Sequence, residues 1–389
     1  MDSLKIIIYG LILCCVSCGS VKNIIIKIEN PLNIDRTLET IELSKSFLKV
    51  NNLDNLGVKD QETGEIVVSQ LVDKDNDGVN DIILFQTKLE AKLAKKYIIV
   101  KLPDKRITEE INYCYSRFIP EREDDYAWEN NRVAFRVYGP KGQELAESNT
   151  GSGILSSGID IWLKRVEYPI INKWYKKTLD GVGSYHQDTG EGLDNFTVGA
   201  SRGVGGTAVQ INKEYYFSKN FTNFKTITVG PIRTSFVLEF NSWKANGSLI
   251  TETKRISLDY GSNLTKYQIN IIGSKNLSSG LAIHTKDYSI STDKNLGWLS
   301  NWEKHGDSML GTAIVSAPNT FVNIAIVNNT ENTDLNNAYM SHKLINNIGI
   351  YYAGFGWEKS GQFKNELEWI NYINKYSKQI NAPLVVTIY

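Results

Sequence analysis

The sequence predicts an all-β protein: one large antiparallel β-sandwich carrying a single helix near its C-terminus. Between residues 207 and 327, segments rich in β-branched residues recur with turn signals and no helical pattern between them. Such spacing indicates a sandwich or barrel rather than alternating βα units. The 389-residue chain is also rich in tyrosine (20) and tryptophan (8) and poor in methionine (3), a composition that favours strands. Only near the end do apolar residues fall at helical spacing.

The chain opens on Lys5 and an apolar run from Ile6 to Val16. That run is too short for a permanent membrane span and reads as an export signal. Cys15-Val16-Ser17-Cys18-Gly19-Ser20 follows, resembling a bacterial lipoprotein cleavage site with Cys18 as the lipidated residue. It departs from that motif in placing Cys15 where leucine is preferred. The expectation is a leader over 1–17 and a mature chain over 18–389. That chain is held in the outer membrane or periplasm and touches the membrane only through its anchor. With Cys18 lipidated, Cys114 has no disulfide partner and serves as a small hydrophobe.

VKNIIIKIENPL makes a first strand that stops at Pro31. Strands at Ile66–Val72 and Ile82–Phe85 flank Asp73, Asp75, Asp77 and Asp81, with Gly78 between them. Alternating acids before a glycine suit a structural calcium ion. Position twelve of that loop is Leu84 rather than glutamate, so a plain Asp-Gly hairpin is the equal alternative. Lys88–Lys96 has the pattern of a short helix, and Tyr97–Leu102 that of a strand. On the strand Val133–Tyr138, Arg132 and Arg136 share the face opposite Val133, Phe135 and Val137. Two arginines there can bind a carboxylate or sulfate. Strands follow near Thr207–Ile211, Thr226–Val229, Ser235–Phe240, Ile250–Leu258, Lys266–Ile272, Ile314–Val315 and Phe321–Val327. Tyr351–Lys359 is glycine-broken and aromatic. Phe363, Leu367, Ile370 and Ile373 then predict a helix over Gly361–Gln379, and LVVTIY a closing strand. No repeat or linker appears, which favours one continuous domain; two lobes divided near residue 115 are the alternative.

With 43 basic and 43 acidic side chains, the chain lacks the basic surplus that nucleic acid demands. The most site-like stretch is Gly181–Gly206, where Tyr185, His186, Asp188, Glu191 and Arg202 stand among eight glycines. Polar, titratable and sharply turned segments line sites more often than cores. Gly203-Val204-Gly205-Gly206 lacks dinucleotide-binding spacing. Ser184, His186 and Asp188 alternate too widely for a triad. The histidines (186, 284, 305, 342) show no paired metal-binding spacing.

Several stretches together resemble one family: AWENNRVAFRVYG, SGIDIWLKRVEYP, SYHQDTGEGLD, VGASRGVGG and YYAGFGWEKSGQF. This is a family of secreted bacterial proteins labelled as a domain of unknown function. It occurs in polysaccharide-utilisation systems and includes the ulvan oligosaccharide dehydratase. The resemblance runs from about Ile66 to Pro383. It implies a sandwich of the mutarotase and lyase kind and elimination across C4–C5 of a non-reducing-end uronic acid in sulfated, rhamnose-containing oligosaccharides.

That chemistry needs a base for the C5 proton, an acid for the departing oxygen and a cation for the carboxylate. His186 is the expected base, since histidine titrates nearest neutrality, and Tyr185 is the candidate acid. Arg202 and Arg132 would hold the carboxylate or a sulfate, helped by Asn130 and Arg136. Trp128 and Trp357 would stack on sugar rings, and Glu191 and Lys359 complete the binding set. No cofactor is required. Two other classes stay open: a glycoside hydrolase using Asp188, Glu191 or Asp194, and a non-catalytic glycan-binding lipoprotein.

Overall fold

Alternation decides which way each long strand faces. In Ser248–Asp259 the residues Ile250, Glu252, Lys254, Ile256 and Leu258 point inward, while Thr253, Arg255, Ser257 and Asp259 face the other way. The computed structural model describes residues 24–102, 111–148, 151–329 and 332–389. The leader and Cys18 lie outside them. Among the described residues no helix is long and apolar enough to cross a membrane.

Antiparallel pairing builds a nine-stranded sheet that includes Asn223–Thr228, Arg233–Glu239, Ser248–Asp259, Leu264–Ile272 and Ile348–Trp357. Ser308–Ser316, Trp298–His305 and Tyr288–Asp293 continue it to the far edge. Two five-stranded sheets cover its inner face. One runs from Gly192–Leu193 through Asp160–Lys164, Ala134–Val137 and Asp125–Glu129 to Tyr115–Ile119. The other is centred on Val204–Ile211, Asn276–Ala282 and Asn337–Lys343. One apolar cluster fills the space between, with Trp128 against Phe236 and Phe135 against Phe355. The architecture is the expected large antiparallel β-sandwich.

A second, smaller sandwich precedes it, with its own core of Ile26, Leu43, Phe85, Tyr97 and neighbours. The closing strand Val385–Ile388 pairs there, with Ile24–Glu29, and so ties the chain's end to its beginning. Gln70 bridges the two sandwiches. Its amide donates to Thr228 Oγ1 and the Arg233 carbonyl, both at 2.8 Å, and its oxygen accepts from the amides of Ile232 and Arg233.

Three segments differ from their sequence reading. Lys88–Lys96 is no helix: Ile82–Leu89 runs on as a strand, turns at Lys92 (φ 62°) and returns as Ala94–Lys101. Tyr351–Lys359 is not broken by its glycines, since Ile348–Trp357 is one strand. Its Gly354 permits close approach, because a Cβ there would stand 1.9 Å from the Asn263 carbonyl oxygen. The C-terminal helix begins later than expected, at Glu366–Asn381, where Asn365 accepts from the amide of Glu368. Trp369 and Ile373 seat it on the outer face of the large sheet, against Trp298, Trp302 and Val315.

The helix Ile171–Leu179 has no cap of its own. Glu129, wholly buried on a neighbouring strand, accepts from the amides of Ile170 and Ile171 at 2.9 Å. Lys164 Nζ, equally buried, donates to Glu129 at 2.8 Å and to the carbonyls of Asn130 and Tyr168 at 2.9 Å. Breaking such a pair leaves an uncompensated charge inside. Glu129→Ala is expected to cost about 3–5 kcal/mol, read as a lowered midpoint in chemical denaturation, whereas an exposed acid such as Glu144 is expected to cost little.

Candidate functional site

The central loop is fastened to the strand Asp160–Lys164. Gly192 sits at φ 112°, and a Cβ there would lie 1.9 Å from the Leu163 carbonyl oxygen. Only glycine fits so close a crossing. Beneath the loop lies a buried ionic cluster. Arg136 donates through Nε and Nη2 to Asp160 Oδ2 at 2.8 and 2.5 Å, and through Nη2 to Asp194 Oδ2 at 3.0 Å. Asp125 stands 3.9 Å from Nη1 and accepts from the Tyr175 hydroxyl at 3.1 Å. Trp162, Tyr185 and Tyr138 surround the guanidinium at 5.3–5.8 Å. Burial pushes Asp125 up to about 7 and raises Asp160 and Asp194 as well, the Asp194 charge adding to the effect on Asp160.

His186 lies over this cluster. Its Nδ1 is 2.6 Å from the Asp194 carbonyl oxygen and 3.7 Å from the Asp194 carboxylate. A ring nitrogen that meets a carbonyl is the protonated one, which leaves the lone pair on Nε2. That atom has no partner among the described residues, and the side chain is 60% exposed. Tyr185 is buried; its ring lies edge-on to the imidazole at 4.5 Å, and its hydroxyl accepts from Arg122 Nε at 3.4 Å.

The loop's acids are engaged. Asp188 pairs with Arg165 at 3.0 Å and accepts from the amides of Gly190 and Gly192. Glu191 accepts from the Tyr168 hydroxyl, from Lys173 Nζ at 2.5 Å and from Trp174 Nε1 at 3.2 Å. Partial burial pulls both carboxyls up, but these donors outweigh it and hold both below their ordinary values.

Two further histidines grip the loop's far arm, and no sequence spacing announced them. His284 uses both ring nitrogens, Nδ1 to Glu303 at 3.0 Å and Nε2 to the Thr197 carbonyl at 2.6 Å. Although burial opposes it, Glu303 keeps His284 above its ordinary value. His305 Nε2 meets Asn195 Oδ1 at 3.0 Å, and burial together with the His284 charge pushes it down to about 4. The signal they offered was positional: each stands at or beside the end of a strand that abuts the loop.

Several expected site residues prove structural. Arg202 is fully buried, stacked 3.7 Å over Phe217, and donates to Ser157 Oγ at 3.0 Å. Burial pulls its pKa down to about 10. It cannot meet a carboxylate at the surface. Trp128 is wholly buried, stacked on Phe135 and donating to Thr265 Oγ1, and Trp357 lies in the same core. Neither offers a ring face to a sugar. Asn130 clamps a turn, donating to the carbonyls of Asp259 and Ser262 while accepting from the amides of Arg132 and Val133. Arg132 is bound to Asn263 Oδ1 at 2.5 Å, near Phe363 and away from the loop. Arg136 is committed to the buried acids. Lys359 remains exposed, paired with Asp307 at 2.6 Å, and Asp307 in turn feels the charge of Asp188.

At Asp73–Asp81 the carboxylates of Asp73, Asp75 and Asp81 converge within 4.8 Å and could hold a cation, whereas Asp77 stands outside that group. The loop is also self-supporting, because Asp73 accepts from the amides of Asn76, Asp77 and Gly78.

Asp125 supplies a check on the buried cluster. In the folded protein it keeps its proton up to about pH 7, while the unfolded chain releases it near pH 4. The folded state therefore binds more protons in this window, and its contribution to stability is lost as pH rises. Asp125→Asn is expected to flatten that loss between about pH 4 and 7 in denaturant titrations.

Comparison with known proteins agrees with the motif reading at the level of family. A family model described as a domain of unknown function, DUF4861, matches residues 28–386. Uncharacterized protein P7 of Formosa agariphila is 46% identical over 368 residues, which span 94% of this chain and 93% of that one. Among solved structures, a protein in the glycosyl hydrolase family 38 from Enterococcus faecalis superposes with a TM-score of 0.48 at 11% identity, over 95% of this chain and 48% of that one. An alpha-mannosidase from the same organism gives 0.40 at 11% identity, over 95% and 46%. The chain thus spans about half the length of these two structures. With nearly its whole described length matched, the chain belongs to the DUF4861 family, a domain of unknown function.

Proposed function

We propose that the protein is a carbon–oxygen lyase that eliminates across C4–C5 of a uronic acid at the non-reducing end of an acidic oligosaccharide. The observation that carries this reading is His186: one ring nitrogen anchored on Asp194, the other free and exposed above a rigid floor. Nε2 takes the C5 proton, the C5–H electron pair becomes the C4=C5 double bond, and the C4–O bond breaks. The imidazolium that forms is stabilised by the Asp194 carboxylate 3.7 Å away. Because Tyr185 is buried and its hydroxyl held by Arg122, the proton returns to the departing oxygen from His186 itself, a syn course. Arg165, half-exposed beside Asp188, replaces Arg202 as the cation for the substrate carboxylate. The sequence resemblance supplies the finer substrate, a sulfated ulvan-type oligosaccharide, and the anchor at Cys18 that would keep the protein outside the cytoplasm.

A glycosidase needs one carboxyl raised for proton donation. Asp188 and Glu191 are both held low, and Asp194, though raised, is buried against Arg136. The elimination reading is therefore preferred. A cation on the Asp73–Asp81 loop would serve stability alone, so chelation is expected to lower the melting temperature while leaving turnover of the intact protein unchanged.

His186→Ala is expected to reduce kcat by about 10²–10⁴-fold with the melting temperature held. Tyr185→Phe is expected to retain most turnover. Arg165→Ala is expected to raise KM and lower kcat together, since the carboxylate is present in ground and transition states. Mass spectrometry of a uronate oligosaccharide reads the outcome. Loss of water or appearance of an unsaturated uronate supports elimination, and a hydrolytic cleavage product or no change of mass refutes it.

A further inference from the structure

A cavity of about 480 Å³ lies far from the loop in the fold, between the outer face of the nine-stranded sheet, the N-terminal sandwich and the C-terminal helix. A smaller one of about 180 Å³ adjoins it, and both are lined by Arg233, Ser257 and Lys266. Strand register explains the chemistry of this groove. Ser257 stands opposite Lys266 and Arg255 opposite Gln268, while Lys266 in turn faces Tyr352. The residues between them, Ile256, Tyr267 and Tyr351, belong to the core. The side chains of Arg255, Ser257, Lys266 and Gln268 thus face one way, into the groove.

The charges there do not cancel. Arg233 donates to both oxygens of the Asp259 carboxylate and to Glu42, while Glu39 is held by Arg36, so the groove's acids are spent on other cations. Lys266 and Arg255, both half-buried, have no hydrogen bond or ion pair among the described residues. Burial first, and the Arg233 charge second, draw both below their ordinary pKa. Two adjacent, partly desolvated cations are costly unless an anion meets them. The opposite wall is aromatic: Tyr352, Tyr372 and Tyr376 line it, with Tyr352 edge-on to Tyr376 at 5.4 Å. The volume falls in the range of small-molecule sites, roughly 300–1,000 Å³.

We propose that this groove is a second ligand site, which binds a pyranose ring carrying a sulfate ester or a carboxylate. Lys266 and Arg255 hold the anionic group and the tyrosines flank the ring. The site is independent of the His186 chemistry.

Isothermal titration of the purified protein with glucose 6-sulfate, glucuronate, glucose and inorganic sulfate tests it. At least one of the two anionic sugars is expected to bind more tightly than both glucose and sulfate, and added salt is expected to weaken it. Whichever binds better identifies the anionic group as ester or carboxylate. Lys266→Gln and Arg255→Gln are each expected to weaken binding about tenfold, Lys266→Arg to restore most of it, and His186→Ala to change nothing. Melting curves on each variant separate lost binding from lost folding, and the two cations give independent tests. The proposal falls if glucose or sulfate alone binds as tightly as the anionic sugars. It also falls if both glutamine variants fold and bind normally, or if His186→Ala abolishes binding.

Discussion

Arg136 is the residue on which the loop depends. A guanidinium does not readily shed its charge to suit an apolar interior, and the burial of this one is offset by carboxylates. Asp160 meets it from the adjacent strand and Asp194 from the loop. One cation thereby fixes a strand and a twenty-six-residue irregular segment in a single geometry, with Trp162, Tyr175 and Tyr185 packed around the join. The third acid, Asp125, is buried with them, and that burial, despite the nearby Arg136 and Arg122, keeps its proton up to about pH 7. The position of His186 follows: the carbonyl it leans on belongs to Asp194 itself.

Legibility in the sequence tracked the range of the interaction. Alternation over short windows located most strands, and helical spacing located the last helix, since both depend on neighbours a few residues apart. The helix Ile171–Leu179 escaped because the group that caps it, Glu129, lies some forty residues upstream. That helix also explains the misreading of Arg136. Alternation put the arginine on a polar face, as it is, but covering by the helix and loop turned that face into an interior. Trp128 and Trp357 suit sugar platforms by residue type alone, and only the packing of the sheets decides for the core. The sharply turned, glycine-rich character of the Gly181–Gly206 segment was legible, being local; its clamps, His284 and His305, were not.

The inward face of Ser248–Asp259 shows how far a core can absorb polar groups. Glu252 and Lys254 point into it, 3.4 Å apart, and Thr207 donates to Glu252 at 2.5 Å. Arg202 lies near, over Phe217. Lys254 and Thr207 both meet Glu252, whereas the side chains of the outward cations Arg255 and Lys266 meet no acid among the described residues. The strand therefore carries two kinds of charge: one consumed in holding the sandwich together, the other left for solvent or a ligand.

The same distinction selects the chemistry at the loop. A general base needs a lone pair that no other group in the protein claims. Asp188 and Glu191 accept three donors each and are stabilised as anions, so neither gains much by taking a proton. His342 gives both nitrogens to serines and is buried, and His284 gives both to the loop and Glu303. His305, pushed down to about 4, is too weak a base at neutral pH. His186 combines an anchored nitrogen with one that is free among the described residues and exposed. Its anchor comes from a residue that Arg136 cannot release, so the geometry of the base is set by the buried charge beneath it.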